Sequence, residues 1–218
     1  MSWVEEQFER VESVLPIDCF SLSVEIPYAK AMPKKGLIGK SFLLPDTSKF
    51  LDETHFADVG LAWNEEGLMA EVLFHKPFEE SNFPRFEEGE SVEFFIDTRD
   101  LKTAGFMTRF CHHFVFLPQS EQGTLGYEIS RFRSEDSHPL CNPDDLQVIA
   151  DLGRTEISMK IVIPQQCLHG YDPANFPRLG FTYKIHRKGG VPQHFACSSA
   201  MYAIDHHPSL WASLRLTQ

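Results

Sequence analysis

Acidic and imidazole side chains concentrate in two nearby segments of this chain. Residues 90–100 run ESVEFFIDTRD, and residues 111–118 run CHHFVFLP. Side chains alternate between two faces in an extended strand, so Glu93 and Asp97 share one face while the opposite face is apolar. The two oxygens of a carboxylate match neighbouring hydroxyl donors of a polyhydroxylated ligand. We therefore predict that this strand presents a polar, ligand-binding face.

Residues 183–187, YKIHR, carry basic groups with the same alternation. Tyr183 and Arg187 share one face, and Lys184 and His186 share the other. A basic strip opposite the acids would suit an anionic or polyhydroxylated ligand, and the residues that could complete it are Arg131, Arg133 and His194. The alternative is an exposed sheet face on which the acids form cross-strand ion pairs, for instance with Arg131 or Arg133.

The Cys111-His112-His113 run brings together side chains that ligate metals. Adjacent strand residues point to opposite faces, so at most one of the two histidines can serve a given site. The chain has no HxH, HxxxH or HExxH spacing. The alternative is that one histidine is hydrogen-bonded in the core and the other lies on the polar face.

Catalysis finds less support in the sequence. Ser198 or Ser199 could lie beside a histidine and an acid, but no G-x-S-x-G turn is present to expose a nucleophile. Cys111 lies in an apolar run, without the cationic setting that activates a thiol. We assign no catalytic residue, and a metal-dependent or hydrolytic enzyme stays an alternative.

The composition narrows the range of partners. The chain has 218 residues, a formal charge of −11 and a pI near 5.3, which argue against a nucleic-acid backbone or an anionic membrane as partner. No stretch reaches the length of a membrane span. The five cysteines are odd in number and lack CxxC pairing, as expected of buried free thiols. With no basic, apolar leader at the start, we expect a cytoplasmic protein.

Hydrophobic periodicity predicts an all-β fold. Residues 1–17 form one amphipathic helix, with apolar residues at 4, 8, 11 and 15 and a proline at 16. Residues 18–218 then form a single antiparallel β-sandwich of about ten strands, and residues 164–170 form a single helical turn. The predicted strands cover 20–26, 58–63, 68–74, 91–97, 109–117, 127–132, 146–151, 155–163, 179–187, 193–199 and 211–216.

The order of four segments resembles a known family. AWNEEGL at 62–68 is followed by ESVEFFID at 90–97, ISMKIVIP at 157–164 and LGFTYKI at 179–185. This order is similar to that of the family 9 carbohydrate-binding modules and their DOMON-like relatives, over residues 18–216. The resemblance implies a β-sandwich of jelly-roll or immunoglobulin-like type. It also implies a module that binds sugars, or haem in some DOMON relatives, without catalysis.

We therefore expect a non-catalytic binding protein for a carbohydrate or another polyhydroxylated ligand on the polar sheet face. Trp63 or Tyr183 would be the stacking platform for a sugar ring. The full set of predicted ligand-binding residues is Trp63, Glu93, Asp97, Arg99, His113, Arg131, Arg133, Tyr183 and His186. The alternative is an interaction module whose apolar rim, Phe78, Phe83 and Phe86, docks a protein partner.

The resemblance also implies structural calcium. Irregular loops that carry oxygen ligands suit this cation, and the acid-rich loop 134–145 offers Asp136, Asp144 and Asp145. Glu79 and Glu80 are a second choice. Bound zinc would instead direct attention to His113 and Cys111.

Overall fold

The computed structural model describes residues 21–120, 122–133 and 135–218, and its regular structure is dominated by β-strands. The predicted helix over residues 1–17 lies outside the described residues. The strands are β1 (Ser23–Pro27), β2 (Ala57–Asn64), β3 (Gly67–Phe74), β4 (Ser91–Asp97), β5 (Cys111–Phe116), β6 (Gly126–Glu128), β7 (Gln147–Leu152), β8 (Ile157–Pro164), β9 (Arg178–His186), β10 (Gln193–His194) and β11 (Ala212–Thr217).

Helical structure in the described chain is confined to short pieces. One α-helix, α1, spans Ser48–Leu51, and 3₁₀ turns occupy Phe86–Glu88, Pro143–Asp145, Gln165–Cys167 and Pro208–Leu210. None of the described helices is long and apolar enough to cross a membrane. The all-β prediction is confirmed.

The strands form two sheets that face each other. The larger sheet has the order β1-β11-β9-β4-β5-β6, with β10 beside β9, and the smaller has the order β2-β3-β8-β7. Neighbouring strands are antiparallel except for β1 and β11, which run parallel from the Ser23–Ser213 pair to the Pro27–Thr217 pair. The predicted sandwich is confirmed, and this edge pair is the departure from a purely antiparallel arrangement.

The main core lies between the sheets and follows the predicted alternation. Val92, Phe94 and Ile96 of β4 point inward, and the Phe94 ring meets Phe116 and Phe181 at centroid distances of 5.5 and 5.4 Å. On the smaller sheet, β8 alternates in the same way between buried and half-buried residues. Apolar burial between the two sheets therefore sets the register of both.

The outer face of the larger sheet is also covered, which the sequence did not predict. All seven residues of β4 are buried. A second apolar cluster, formed by Phe95, Met107, Cys111, Cys197, Ile204 and Trp211, lies on this face. The strand predicted at 193–199 ends at His194, and the chain that follows it contributes to this cover. Ala196 adopts a φ of 68°, outside the range of a strand, and turns the chain back over the sheet.

The long connection at 31–53 is docked on the smaller sheet rather than merely exposed. Leu37 is fully buried, and Glu71 of β3 accepts the backbone N–H groups of Leu37 and Ile38. The other oxygen of the Glu71 carboxylate accepts the Ser158 hydroxyl at 3.2 Å. A buried carboxylate thus holds this segment in place, because each of its oxygens is satisfied.

We predict that Phe94→Ala lowers the free energy of unfolding by about 3–5 kcal/mol, since it opens a cavity in the centre of the core. Phe106→Ala is the matched control, because the Phe106 ring is 46% exposed and its loss should cost under about 1 kcal/mol. Urea denaturation of the two variants compares them. Equal losses would contradict the placement of the core.

Candidate functional site

A pocket of about 220 Å³ opens on the outer face of the larger sheet. The 3₁₀ turn Phe86–Glu88 borders one side. The other side is bordered by residues 195–206, the covering segment, which follow β10 and lie over this face. The side chains that line it combine both charges with apolar groups: Phe86, Glu87, Glu93, Phe95, Met107, His113, Ile129, Arg131, Lys184, Ser199, Ile204, Asp205 and His206. It is a mixed polar and apolar cavity of the kind that binds small ligands.

Glu93 is the central charge of this pocket, with its side chain 3% exposed. His113 on β5 donates to Oε2 at 2.6 Å, and His186 on β9 donates to Oε1 at 2.6 Å. Lys184 Nζ lies 3.3 Å from Oε1. The three partners come from the two strands that flank β4, because the register places Lys184 opposite Glu93 and His113 opposite Phe95.

The pKa of Glu93 shows that this carboxyl is held as an anion. Burial raises the pKa, but the hydrogen bonds from His113 and His186 and the charge of Lys184 outweigh burial. The pKa therefore lies far below its ordinary value of 4.5. The pocket thus contains a carboxylate anion at near-neutral pH.

Aromatic packing fixes the two imidazoles. The His113 ring stacks on Phe95 at 4.1 Å, and its backbone N–H donates to the Ser130 hydroxyl. His186 meets the edge of Phe86 at 6.3 Å. The predicted split of the histidine pair is confirmed, since His112 is buried on the inner face of β5 beside Phe114.

Of the remaining predicted polar residues, Arg131 lines the pocket while exposed to solvent, and the exposed Arg133 does not line it.

Asp97 and Arg99 are a correction to the predicted polar face. Asp97 is fully buried and accepts the backbone N–H groups of Arg99 at 2.9 Å and Leu101 at 2.6 Å. The Arg99 guanidinium donates to two backbone carbonyls and lies over the rings of Phe110 and Phe176. Both side chains therefore stabilise the turn that follows β4.

The predicted stacking platforms are also corrected. Trp63 and Tyr183 are 5% and 3% exposed and belong to the main core. The Trp63 indole N–H donates to the Thr217 carbonyl at 3.1 Å, and the Tyr183 ring stacks on Phe195 at 5.5 Å. Neither ring offers a free face to a sugar. The half-buried Phe86 is an aromatic ring that does line the pocket.

The apolar rim predicted as a docking surface is engaged within the chain. Phe83 stacks on Tyr127 at 4.1 Å, Phe78 packs against the main core, and Phe86 borders the pocket. All three rings are half-buried rather than exposed. They stabilise the loop between β3 and β4.

A hydrogen-bonded chain of three side chains ends at the pocket. The Ser199 hydroxyl donates to His194 Nε2 at 2.8 Å, and His194 Nδ1 donates to Glu53 at 2.7 Å. The side chains of His194 and Glu53 are almost completely buried. The sequence offers Ser199 as a candidate nucleophile, but Glu53 lies 141 residues from His194 and no local signal links them.

The acids predicted to bind calcium are dispersed. Asp136 pairs with Arg109, whereas Asp144 and Asp145 lie on the 3₁₀ turn Pro143–Asp145 and line a separate groove of about 530 Å³. Within 21–218, outside the gaps at 121 and 134, these three acids do not meet as one set of ligands. Glu79 and Glu80 pair instead with Lys76 and Lys188. The residues as placed do not fit a calcium cage, and calcium binding stays a prediction.

In the described chain, three other groups of side chains bring possible metal-ligand atoms within 4.8 Å of one another. The groups are His55, Asp58 and His75 at the surface; Glu87, Glu93 and His186 at the pocket; and His112, Glu128 and His138 in the interior.

Comparison with known proteins supports the fold. No protein-family model matches the chain, and no curated protein matches it. Among solved structures, a family 9 carbohydrate-binding module from Caldicellulosiruptor kristjanssonii in complex with cellotriose is 13% identical. The superposition covers 89% of this chain and 93% of that module, with a TM-score of 0.64. The same organism's family 9 module with glucose gives 0.62, at 13% identity and coverages of 89% and 95%.

A protein from Bacteroides uniformis that is named for carbohydrate binding gives a TM-score of 0.55 at 13% identity, covering 90% of this chain and 98% of its own. The chain therefore has the β-sandwich fold of family 9 carbohydrate-binding modules. At this identity the likeness shows the fold alone.

We predict that Glu93→Gln lowers the free energy of unfolding at pH 7 by about 3 kcal/mol, because it removes the charge that the buried imidazoles and lysine surround. Since the folded pKa of Glu93 is depressed, its contribution is complete above pH 4.5 and is lost as the pH falls below that value. The gap between wild type and variant should narrow in acid.

Denaturation in urea from pH 7 to pH 3 measures this gap. Glu87→Gln is the control, because Glu87 is largely exposed and its contact with Lys184 at 3.5 Å is worth little. A gap for Glu93→Gln that stays constant over this range would show that Glu93 is not the linked group.

Proposed function

We propose that the protein binds a carbohydrate in the pocket around Glu93. The observation that carries this proposal is an anionic carboxylate fixed by two imidazoles at the base of a small cavity that also holds Lys184 and Arg131. Sugar hydroxyls both donate and accept, so they need acceptors and donors within one ring's width. The fold shared with carbohydrate-binding modules adds support.

The size and lining of the pocket indicate a small ligand. A volume of about 220 Å³ lies below the usual range for drug-sized ligands, which suits one sugar ring rather than a long chain. Phe86 and Ile129 supply apolar surface for the C–H face of a ring. In the lining of the pocket, three acids outnumber two cations, which favours a neutral sugar over an acidic one; the acids are Glu87, Glu93 and Asp205, and the cations are Arg131 and Lys184.

We predict that Arg131→Ala weakens binding of a neutral monosaccharide or disaccharide by about tenfold, because it removes a charged donor worth about 1.5 kcal/mol. Arg133→Ala is a matched control, since this arginine is also exposed and lies outside the pocket. A glycan array selects the sugar, and isothermal titration calorimetry measures both variants.

The absence of any sugar binding by the folded wild-type protein would overturn the proposal. Equal effects of the two substitutions would move the site elsewhere, with the groove lined by Asp144 and Asp145 as the next surface to mutate.

A second candidate function is ester hydrolysis, and the Ser199–His194–Glu53 chain is the observation that favours it. In this function the Ser199 oxygen attacks an ester carbonyl carbon while its proton passes to His194 Nε2. The leaving alkoxide then takes that proton, and water releases the acyl group with His194 as base. Burial raises the pKa of Glu53, but hydrogen bonds from His194 outweigh it and keep this carboxyl ionised. Lys184 and Arg131 place positive charge in the cavity where the oxyanion would form.

For this candidate we predict that a fluorophosphonate labels Ser199 and that the label is lost in Ser199→Ala and strongly reduced in His194→Gln. Ser137→Ala is the control, because the Ser137 hydroxyl is exposed and donates to the Glu135 carbonyl at 3.4 Å. Intact-protein mass spectrometry and peptide mapping give the result. No label on folded wild-type protein would assign the three side chains to a structural role that ties α1 to the covering segment.

A further inference from the structure

We propose that His112, Glu128 and His138 form a buried binding site for one divalent transition-metal ion, best suited to zinc. The three residues come from β5, from β6 and from the loop after β6. They lie away from the sugar pocket, on the inner side of the larger sheet, so this site does not depend on the proposed function.

The three side chains converge on one point. Glu128 Oε1 lies 2.8 Å from His112 Nδ1 and 2.8 Å from His138 Nε2. All three residues are buried, with exposed fractions of 0%, 6% and 8%. Two imidazoles and a carboxylate are a common donor set for zinc in proteins.

The hydrogen bonds of His138 decide which nitrogen faces the site with a lone pair. His138 Nδ1 lies 2.6 Å from the Arg109 carbonyl, which can only accept, so Nδ1 carries the proton. In the neutral ring, Nε2 then directs a lone pair at the Glu128 carboxylate. Two electron-rich atoms at 2.8 Å repel each other unless a cation, either a second proton or a metal ion, lies between them.

His112 leads to the same conclusion from a different observation. Its Nδ1 faces Glu128, while its buried Nε2 makes no well-aligned hydrogen bond and lies near the backbone carbonyl of His169. A metal bound at Nδ1 would leave the proton on Nε2, where the backbone carbonyl of His169, which interacts with this ring, is available as acceptor. Both histidines would then show the pattern of zinc ligands, with one nitrogen on the metal and the other donating to a carbonyl.

Further contacts orient the carboxylate. Ser130 Oγ donates to Glu128 Oε1 at 2.8 Å, and the backbone N–H of Cys141 donates to Oε2 at 2.7 Å. Such outer contacts fix the direction of a ligand before the metal binds. Ligand atoms around tetrahedral zinc are about 3.3 Å apart, from bonds of about 2.0 Å, so binding requires an opening of only about half an ångström.

The site is close enough to solvent to be filled. The exposed His169 ring stacks on His138 at 5.4 Å, nearly parallel. The exposed His169 imidazole therefore lies against one of the three ligands. The surface group of His55, Asp58 and His75 is the less suitable site, because its side chains are 32%, 30% and 43% exposed and so less firmly held.

The test uses full-length protein purified without a histidine tag or chelating resin. We expect inductively coupled plasma mass spectrometry to find one zinc per chain, and we expect removal of zinc to lower Tm by several degrees. His138→Asn and Glu128→Gln should lose the zinc, and His75→Gln, a surface histidine of the competing group, should retain it. Zinc that stays stoichiometric in His138→Asn, or a wild-type chain that takes up none at micromolar zinc, would overturn the proposal.

A second measurement covers the case in which the variants fail to fold. Cobalt titrated into metal-free wild-type protein should give the absorption of a tetrahedral site, and histidine NMR should show His112 bound through Nδ1 and His138 through Nε2. If both imidazoles are protonated and bind no metal in the presence of cobalt, the cation between each ring and Glu128 is a proton. That result would end the metal proposal.

Discussion

The outer side of the larger sheet depends on how the buried charge of Glu93 is compensated. A carboxylate removed from water costs several kcal/mol unless it is paired and hydrogen-bonded. Here β5 supplies His113 and β9 supplies His186 and Lys184, so the charge joins three adjacent strands across the middle of the sheet. The covering segments can then fold over Phe95 and leave a cavity above the carboxylate. The two imidazole hydrogen bonds and the Lys184 ion pair thus stabilise the sheet and define the chemistry of the pocket.

The predictions from sequence succeeded where a rule acts within one strand. Alternation assigned Phe94 to the core and Glu93 to the outer face, and it separated His112 from His113 correctly. These outcomes depend only on the period of an extended chain. The resemblance to carbohydrate-binding modules also led to the right fold. The order of the segments in the sequence is informative even where identity is only 13%.

The predictions failed where distant parts of the chain meet. The outer face of β4 was expected to be polar and open, but Trp211 and Ile204, more than 100 residues later, bury it. The ring chemistry of Trp63 and Tyr183 suits a ligand, yet both rings belong to the core between the two sheets. The pairing of Ser199 and His194 with Glu53 also joins distant parts of the chain, because it depends on where α1 packs against β10. No local pattern encodes these contacts.

The parallel pairing of β1 with β11 has a mechanical consequence. The chain enters β1 at Ser23 and leaves β11 at Thr217, at opposite ends of a ladder of five residue pairs. A force that pulls these two ends apart acts along the strands, so it loads the hydrogen bonds of the ladder together in shear. In an antiparallel edge hairpin the same bonds would open one after another. The edge of the sandwich is thus arranged to resist extension by its own chain.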